Sequence, residues 1–157
     1  TLRLSKKPKF NTSYGAIQTT LAEMNITELS LKAISDAVCS IRRSKLPDPT
    51  EIGNAGSFFK NPEIAEEFFS SLKAKFPDII GYKTTPGKVK VPAGWLIEQC
   101  GWKGKRIGEV GMHAKQALVL VNYGHATGQE LYEHALRVQK SVREKFDVEL
   151  EMEVNVL

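Results

Sequence analysis

Thr127 to Val156, TGQELYEHALRVQKSVREKFDVELEMEVNV, changes its hydrophobic period partway along, and that change decides the fold class. Thr127-Gly128-Gln129-Glu130 has the form of a capping box, in which a hydroxyl and a carboxylate three residues on satisfy each other's backbone N–H groups. From there Leu131, Ala135, Val138, Val142 and Phe146 recur at helical spacing, predicting a helix that runs to about Phe146. Beyond it the period drops to two. Val148, Leu150, Met152, Val154 and Val156 take one face of a strand, with Glu149, Glu151, Glu153 and Asn155 on the other. A helix followed at once by a strand, among elements that do not strictly alternate, predicts an α+β fold. We expect helices packed on a small, largely antiparallel sheet.

Working outward, Ala117 to Val121 is an apolar run short enough for a buried strand, and Lys88 to Val91 alternates as another. Pro86-Gly87 reads as a turn between extended segments. Trp95, Leu96 and Gln99 fall in a short helix that Gly101 can stop. Asn61-Pro62 reads as the opening of a helix, an amide N-cap with proline at the first position. Its first turns would carry Glu63, Glu66 and Glu67, and its stripe Ile64, Phe68, Leu72 and Phe76. A helix from Ser30 to Lys45 carries Leu31, Ile34, Val38 and Ile41, with Ser30 as N-cap. It must end before Pro47 and Pro49, because a residue preceding proline is pushed out of the helical region. Pro47 to Gly56 is then a loop, which places Ser57 at an element boundary. Tyr14 to Met24 reads as a short helix, and residues 1–13 as the end of a strand with a polar lead-in.

The chain has 157 residues, 41% of them hydrophobic and 25% charged, enough for one domain with a core. No apolar stretch reaches membrane-spanning length, and no signal peptide is visible. A net charge of +4 permits an anionic ligand but does not choose between a nucleotide diphosphate and a nucleic acid. RNP-type aromatic motifs and zinc-finger spacings are absent. Cys39 and Cys100 stand alone, without metal or redox spacing, and Cys39 reads as a small buried apolar residue, consistent with a reducing compartment. His113, His125 and His134 have neither ligand spacing nor a nucleophile partner. No metal site is expected, and His113 reads as structural.

Gly53-Asn54-Ala55-Gly56-Ser57-Phe58-Phe59-Lys60-Asn61-Pro62 is the run richest in chemistry. Two glycines and an alanine around Asn54 allow a sharp turn and a close backbone approach to a ligand. A hydroxyl, two rings, a cation and an amide follow, a set that suits a small, highly charged ligand. Read alone, the run is more readily a loop with Ser57 capping an element, and Glu153 more readily one of three glutamates on a solvated strand face.

With Lys45-Leu46-Pro47-Asp48-Pro49 before it, this run resembles the signature of the UDP-N-acetylenolpyruvoylglucosamine reductases, flavoenzymes that complete UDP-N-acetylmuramate for bacterial peptidoglycan. Ala93-Gly94-Trp95-Leu96-Ile97-Glu98-Gln99-Cys100-Gly101 with Lys103-Gly104 is similar to a second segment of that family. His113-Ala114-Lys115-Gln116-Ala117-Leu118-Val119-Leu120 is similar to a third, and Leu150-Glu151-Met152-Glu153-Val154 to a fourth. The last departs from the family's pattern at Met152, where proline is common, but keeps the Glu-x-Glu spacing. Four ordered segments cover nearly everything from Lys45 onward.

The resemblance implies reduction of an enol ether bearing a carboxylate. Reduced FAD delivers hydride to the terminal carbon, negative charge moves onto the carboxylate, and the adjacent carbon is protonated. Ser57 carries over as the proton donor and Glu153 as the catalytic glutamate. Serine is a weak acid, so this role needs a strongly basic partner and close positioning. A glutamate beside an anionic intermediate helps only if it is protonated or shares a proton. Contacts to the UDP-sugar carry over onto Tyr14, Lys45, Asn61, Tyr82, Lys103 and Gln116. Ser13-Tyr14-Gly15 resembles the tyrosine loop of the subgroup called type I.

The family's flavin-binding half and its catalytic arginine lie upstream of the matched region, and this chain has no counterpart of either. The resemblance therefore implies a piece of a longer protein. Residues 1–28 would trail from an FAD-binding domain with the tyrosine loop, residues 29–147 would form the substrate-binding domain, and residues 148–157 the terminal strand with the glutamate. FAD would be bound upstream, with no cofactor-binding residue here, and NADPH would be the co-substrate. The parent would be a monomeric cytoplasmic enzyme of bacterial cell-wall synthesis, bound to neither nucleic acid nor membrane. The fragment alone would be inactive. The competing reading is a stand-alone nucleotide- or nucleic-acid-binding module without catalysis. The presence of both Ser57 and Glu153 argues against it, since a pure binder needs neither.

Overall fold

A computed structural model describes Arg3 and residues 5–156 of the chain. They form two compact units that divide between Leu46 and Pro47. The first is a helical pair, α1 (Ile17–Glu23) and α2 (Leu31–Lys45). The Ser30 hydroxyl accepts the Ala33 N–H at 3.1 Å, the N-cap that its position predicts. Leu46 leaves the helix in an extended conformation ahead of Pro47. The small core of this unit is Ile17, Leu21, Ala33 and Ala37, with Ile26, Val38 and Ile41 packed against it.

Two burial expectations fail in the first unit. Leu31 is 68% exposed and Cys39 is exposed rather than buried, so the deepest line of α2 runs through Ala33 and Ala37. Alanines four residues apart share a helix face, and their small side chains admit α1 closely there. The expected strand end at the start of the chain falls largely on Thr1, Leu2 and Leu4, which lie outside the described residues. Arg3 and residues 5–13 carry no strand.

The second unit is α+β, as the change of period predicts. A four-stranded sheet has the order β1-β7-β6-β5, with β1 (Gly53–Ser57), β7 (Val119–Asn122), β6 (Val110–Met112) and β5 (Arg106–Ile107). A three-stranded sheet has the order β2-β4-β3, with β2 (Glu63–Ala65), β4 (Lys88–Lys90) and β3 (Tyr82–Lys83). Every strand pairing is antiparallel. The helices of this unit are α3 (Glu66–Lys75), α4 (Ala93–Gln99) and α5 (Gly128–Phe146).

Helix α5 buries the stripe that its periodicity marks. Ala135, Val138 and Val142 are fully buried and Phe146 is 1% exposed, in one cluster with Leu96, Ile97 and Met112. Each such large apolar side chain contributes about 1.5–3 kcal/mol relative to exposure. The capping box forms in full: Thr127 Oγ1 accepts the Glu130 N–H and the Glu130 carboxylate accepts the Thr127 N–H at 2.7 Å. Trp102 Nε1–H donates to Ser141 Oγ at 2.8 Å, fastening the segment after α4 to α5.

Three local readings are corrected in this unit. Asn61-Pro62 does not open a helix, because residues 63–65 pair with β4 and α3 begins only at Glu66. Pairing continues to Pro62, whose carbonyl accepts the Val91 N–H at 2.9 Å, so strand hydrogen bonds outcompete the local cap. Gly53–Ser57 is a strand rather than part of a loop, held edge to edge by β7. The end of the chain keeps its alternation but pairs over a single bridge, Phe59 with Met152, rather than as a regular strand. The hairpin β5–β6 carried no sequence signal, since two- and three-residue strands are too short to show a period. Among the described residues, no helix is long and apolar enough to cross a membrane.

Candidate active site

Ser57 is the last residue of β1, where the register against β7 slips between Asn54 and Ser57. The slip is a bulge built from local side chains. Asn54 Oδ1 accepts the Gly56 N–H at 3.1 Å, and Asn54 Nδ2 donates to the Ile52 carbonyl at 3.0 Å. Gly56 sits at φ +74, a conformation that favours glycine. The bulge turns an otherwise ordinary edge strand and leaves Ser57 exposed at its end.

The next residue, Phe58, is held on two sides. Its N–H donates to the Leu118 carbonyl at 2.8 Å, and its carbonyl accepts the Glu153 N–H at 2.8 Å. Lys60 N–H donates to the Glu151 carbonyl at 2.8 Å, and the Lys60 ammonium also pairs with the Glu151 carboxylate. The resulting ladder runs Leu118–Phe58–Glu153. It sets Glu153 across from the residue that follows Ser57, although 96 positions of chain separate Ser57 from Glu153. The Glu153 side chain is exposed, whereas Phe58 is buried beneath the ladder.

Asn61, Lys103 and Gln116 line one cavity of about 340 Å³, with Pro92, Gly94, Trp95, Glu98, Lys115, Ala117 and Leu118. Asn61 Oδ1 accepts the Ala93 N–H at the start of α4 at 2.9 Å. This fixes the amide and leaves its NH₂ as a donor. Gly94 brings the α4 backbone close to Gln116: a Cβ there would lie 3.5 Å from Gln116 Oε1. Lys103 Nζ pairs with Glu98 at 2.9 Å. Leu118 belongs to both arrangements, lining the cavity with its side chain while its carbonyl holds Phe58.

Tyr82 lies elsewhere in this unit, 60% exposed on β3 opposite Lys90. Gly81 before it carries no side chain because a Cβ would meet Val89 at 2.5 Å and Phe69 at 2.6 Å. Tyr14 and Lys45 belong to the first unit. Tyr14 is 80% exposed just ahead of α1, and Lys45 is the exposed last residue of α2. Sequence reasoning did not single out Glu98 and Lys115 as site residues, although each stands within a segment that carries the resemblance.

Burial, and then the nearby Lys115 charge, lower the His113 pKa. His134 is 2% exposed with Nε2 unpartnered, edge-on to Trp102. Burial first, and then Arg137 and Lys105, bring its pKa down to about 4. Among the described residues there is no cluster of His, Cys, Asp and Glu that could hold a metal ion.

The helix N-termini of the second unit do not fit a flavin dinucleotide. Such sites use free N–H groups at a helix N-terminus following a glycine-rich turn. Here the α5 terminus is occupied by Thr127 and the Glu130 carboxylate, α3 opens on Glu66 and Glu67, and the first N–H of α4 is taken by Asn61. Fold and site together define a small α+β domain with a polar ligand cavity beside an exposed hydroxyl and carboxylate.

The family model described as the UDP-N-acetylenolpyruvoylglucosamine reductase C-terminal domain matches residues 48–157. The chain is 56% identical over 149 residues to the UDP-N-acetylenolpyruvoylglucosamine reductase of Flavobacterium johnsoniae, covering 95% of this chain and 44% of that protein. It is 55% identical over its whole length to the reductase of Amoebophilus asiaticus, covering 46% of that protein, and 52% identical over 143 residues to that of Pseudomonas putida, covering 91% and 42%. A crystal structure of the Thermus caldophilus reductase aligns with a TM-score of 0.46 at 25% identity, over 80% of this chain and 34% of that one. The chain belongs to the UDP-N-acetylenolpyruvoylglucosamine reductase family, and its residues 48–157 match that family's C-terminal domain. It spans about half the length of the curated relatives it matches. A stand-alone binding module finds no support among them.

Proposed function

We propose that this chain is the substrate-side half of an enzyme that reduces UDP-N-acetylglucosamine enolpyruvate to UDP-N-acetylmuramate, a step of bacterial peptidoglycan precursor synthesis in the cytoplasm. The division of labour follows the resemblance: residues 1–28 trail from an FAD-binding domain, residues 29–147 bind substrate, and residues 148–157 carry the catalytic glutamate. FAD belongs to the part of the enzyme outside this chain and NADPH supplies the electrons, so the chain alone is colourless and inactive. The whole enzyme works as a monomer, without nucleic acid or membrane.

The observation that carries this reading is the Leu118–Phe58–Glu153 ladder, which joins the serine segment, the glutamate segment and a wall of the polar cavity by two backbone hydrogen bonds. Within the reaction, Ser57 delivers its hydroxyl proton to the carbon that becomes carbanionic. Glu153 hydrogen-bonds toward the substrate carboxylate where negative charge collects. The amide NH₂ of Asn61, the Gln116 side chain and Lys103 hold the nucleotide diphosphate. Tyr14, Lys45 and Tyr82 contribute further substrate contacts from exposed positions.

The test is Ser57→Ala in the full-length enzyme, followed by stopped flow. The half-reaction with NADPH should keep its rate, while the half-reaction with the enolpyruvyl substrate slows by about 100-fold or more. Equal slowing of both would make Ser57 a structural residue.

A further inference from the structure

The cavity beneath α4 holds two lysines whose electrostatic situations differ. Lys103 is engaged by the Glu98 carboxylate at 2.9 Å, so its charge is largely offset before any ligand arrives. Lys115 has no carboxylate within ion-pair distance among the described residues. Its place is fixed by the short loop that leads into β7. The His113 N–H donates to the Val119 carbonyl at 2.8 Å, and the Val119 N–H to the Gln116 carbonyl at 3.0 Å. The loop sets Lys115 beside Gln116 on the cavity wall. Burial first, and then Lys115 itself, lower the His113 pKa and so disfavour a further positive charge there.

We propose that Lys115 is the main anion anchor of this cavity and that Glu98 sets its affinity by competing for Lys103. The ligand class is a diphosphate monoester or diester, and the assignment rests on reading the cavity as the nucleotide diphosphate site. An unpaired ammonium beside neutral donors from Asn61 and Gln116 attracts a polyanion without first breaking an ion pair. Lys103 must leave Glu98 before it can contribute. That exchange is inexpensive, because an exposed lysine–carboxylate pair contributes only about 0–1 kcal/mol. Glu98 therefore acts as a weak electrostatic brake.

The test is isothermal titration of the 157-residue chain with inorganic pyrophosphate and with UDP, at low and moderate salt. Replacing Lys115 removes a charge-assisted hydrogen bond, so Lys115→Gln should weaken both probes about tenfold and flatten the salt dependence. Lys103→Gln should weaken binding by less than about threefold, and Glu98→Gln should tighten it by up to about fivefold. Because all three side chains are exposed, the variants should keep the parental circular dichroism and melting temperature. Parental affinity in Lys115→Gln, or a larger loss in Lys103→Gln, overturns the proposal. So does failure of the parent chain to bind either probe at millimolar concentration. That last result would leave the reductase reading standing, since Ser57 is tested by half-reaction rates in the full-length enzyme.

Discussion

The Leu118–Phe58–Glu153 ladder and the Asn61–Gln116 cavity lie side by side, share Leu118, and are built on different principles. The ladder is a backbone device. Its rungs are main-chain hydrogen bonds, so the side chains of Ser57 and Glu153 are free of structural duty and exposed. The cavity is a side-chain device, in which Asn61 caps α4 and Lys103 is tied to Glu98. Substitution of Ser57 or Glu153, the side chains proposed to react, should therefore remove chemistry without disturbing the fold. Truncation of Asn61, whose side chain holds the start of α4, should touch folding and binding together.

The largest expected effect tests the ladder. In the full-length enzyme, Glu153→Ala should lower turnover by about 100-fold or more, and Glu153→Gln should retain more activity because it keeps a donor and the shape. Asn61→Ala should instead act mainly on KM, raising it about tenfold. Steady-state kinetics of the three variants checks the contrast. If Glu153→Gln were as inactive as Glu153→Ala, the donor role would be lost.

Next comes the scaffold common to both regions. His134 on α5 is buried, with Trp102, Lys105, Arg137, Glu109, Glu130 and Glu133 around it. Its pKa is about 4 in the folded chain against 6.5 when exposed. The unfolded chain therefore takes up this proton first as pH falls. Stability from a neutral His134 is complete above pH 6.5 and declines between 6.5 and about 4, by up to about 3 kcal/mol. Urea midpoints measured across that window in the parent and in His134→Gln should diverge in slope. Parallel profiles would show that His134 does not titrate in this way.

A smaller effect is expected at the bulge. Gly56→Ala must hold φ +74 with a Cβ, costing about 1–2 kcal/mol. Because the bulge aims Ser57, turnover should fall by more than that stability loss explains. Asn61→Asp separates the two duties of the cavity amide. It keeps an acceptor for Ala93 and hence the melting temperature, yet loses the NH₂ donor and repels an anion, so pyrophosphate binding should disappear. The smallest effect is Glu153→Gln on the stability of this chain, below about 0.5 kcal/mol by chemical denaturation, as suits an exposed side chain. A large loss would mean that Glu153 is a structural residue.

Much of this was legible in the sequence because its causes are local. Ser30 and Thr127 cap helices through residues three positions away, the stripe of α5 follows from helical pitch, and the alternation after Phe146 follows from strand pleating. The four motifs named the family without any coordinates. Tertiary structure alone decided where Asn61 spends its amide, on Ala93 rather than on a helix of its own. It also made a strand of Gly53–Ser57, exposed Cys39, and ranked Lys115 apart from Lys103. Each of these outcomes depends on a partner distant in sequence or on the packing of another element. A strand with few side chains, an amide able to cap either of two helices, and a lysine able to choose among carboxylates carry no local energy large enough to decide. The hydrogen bond or ion pair made across the fold decides for them.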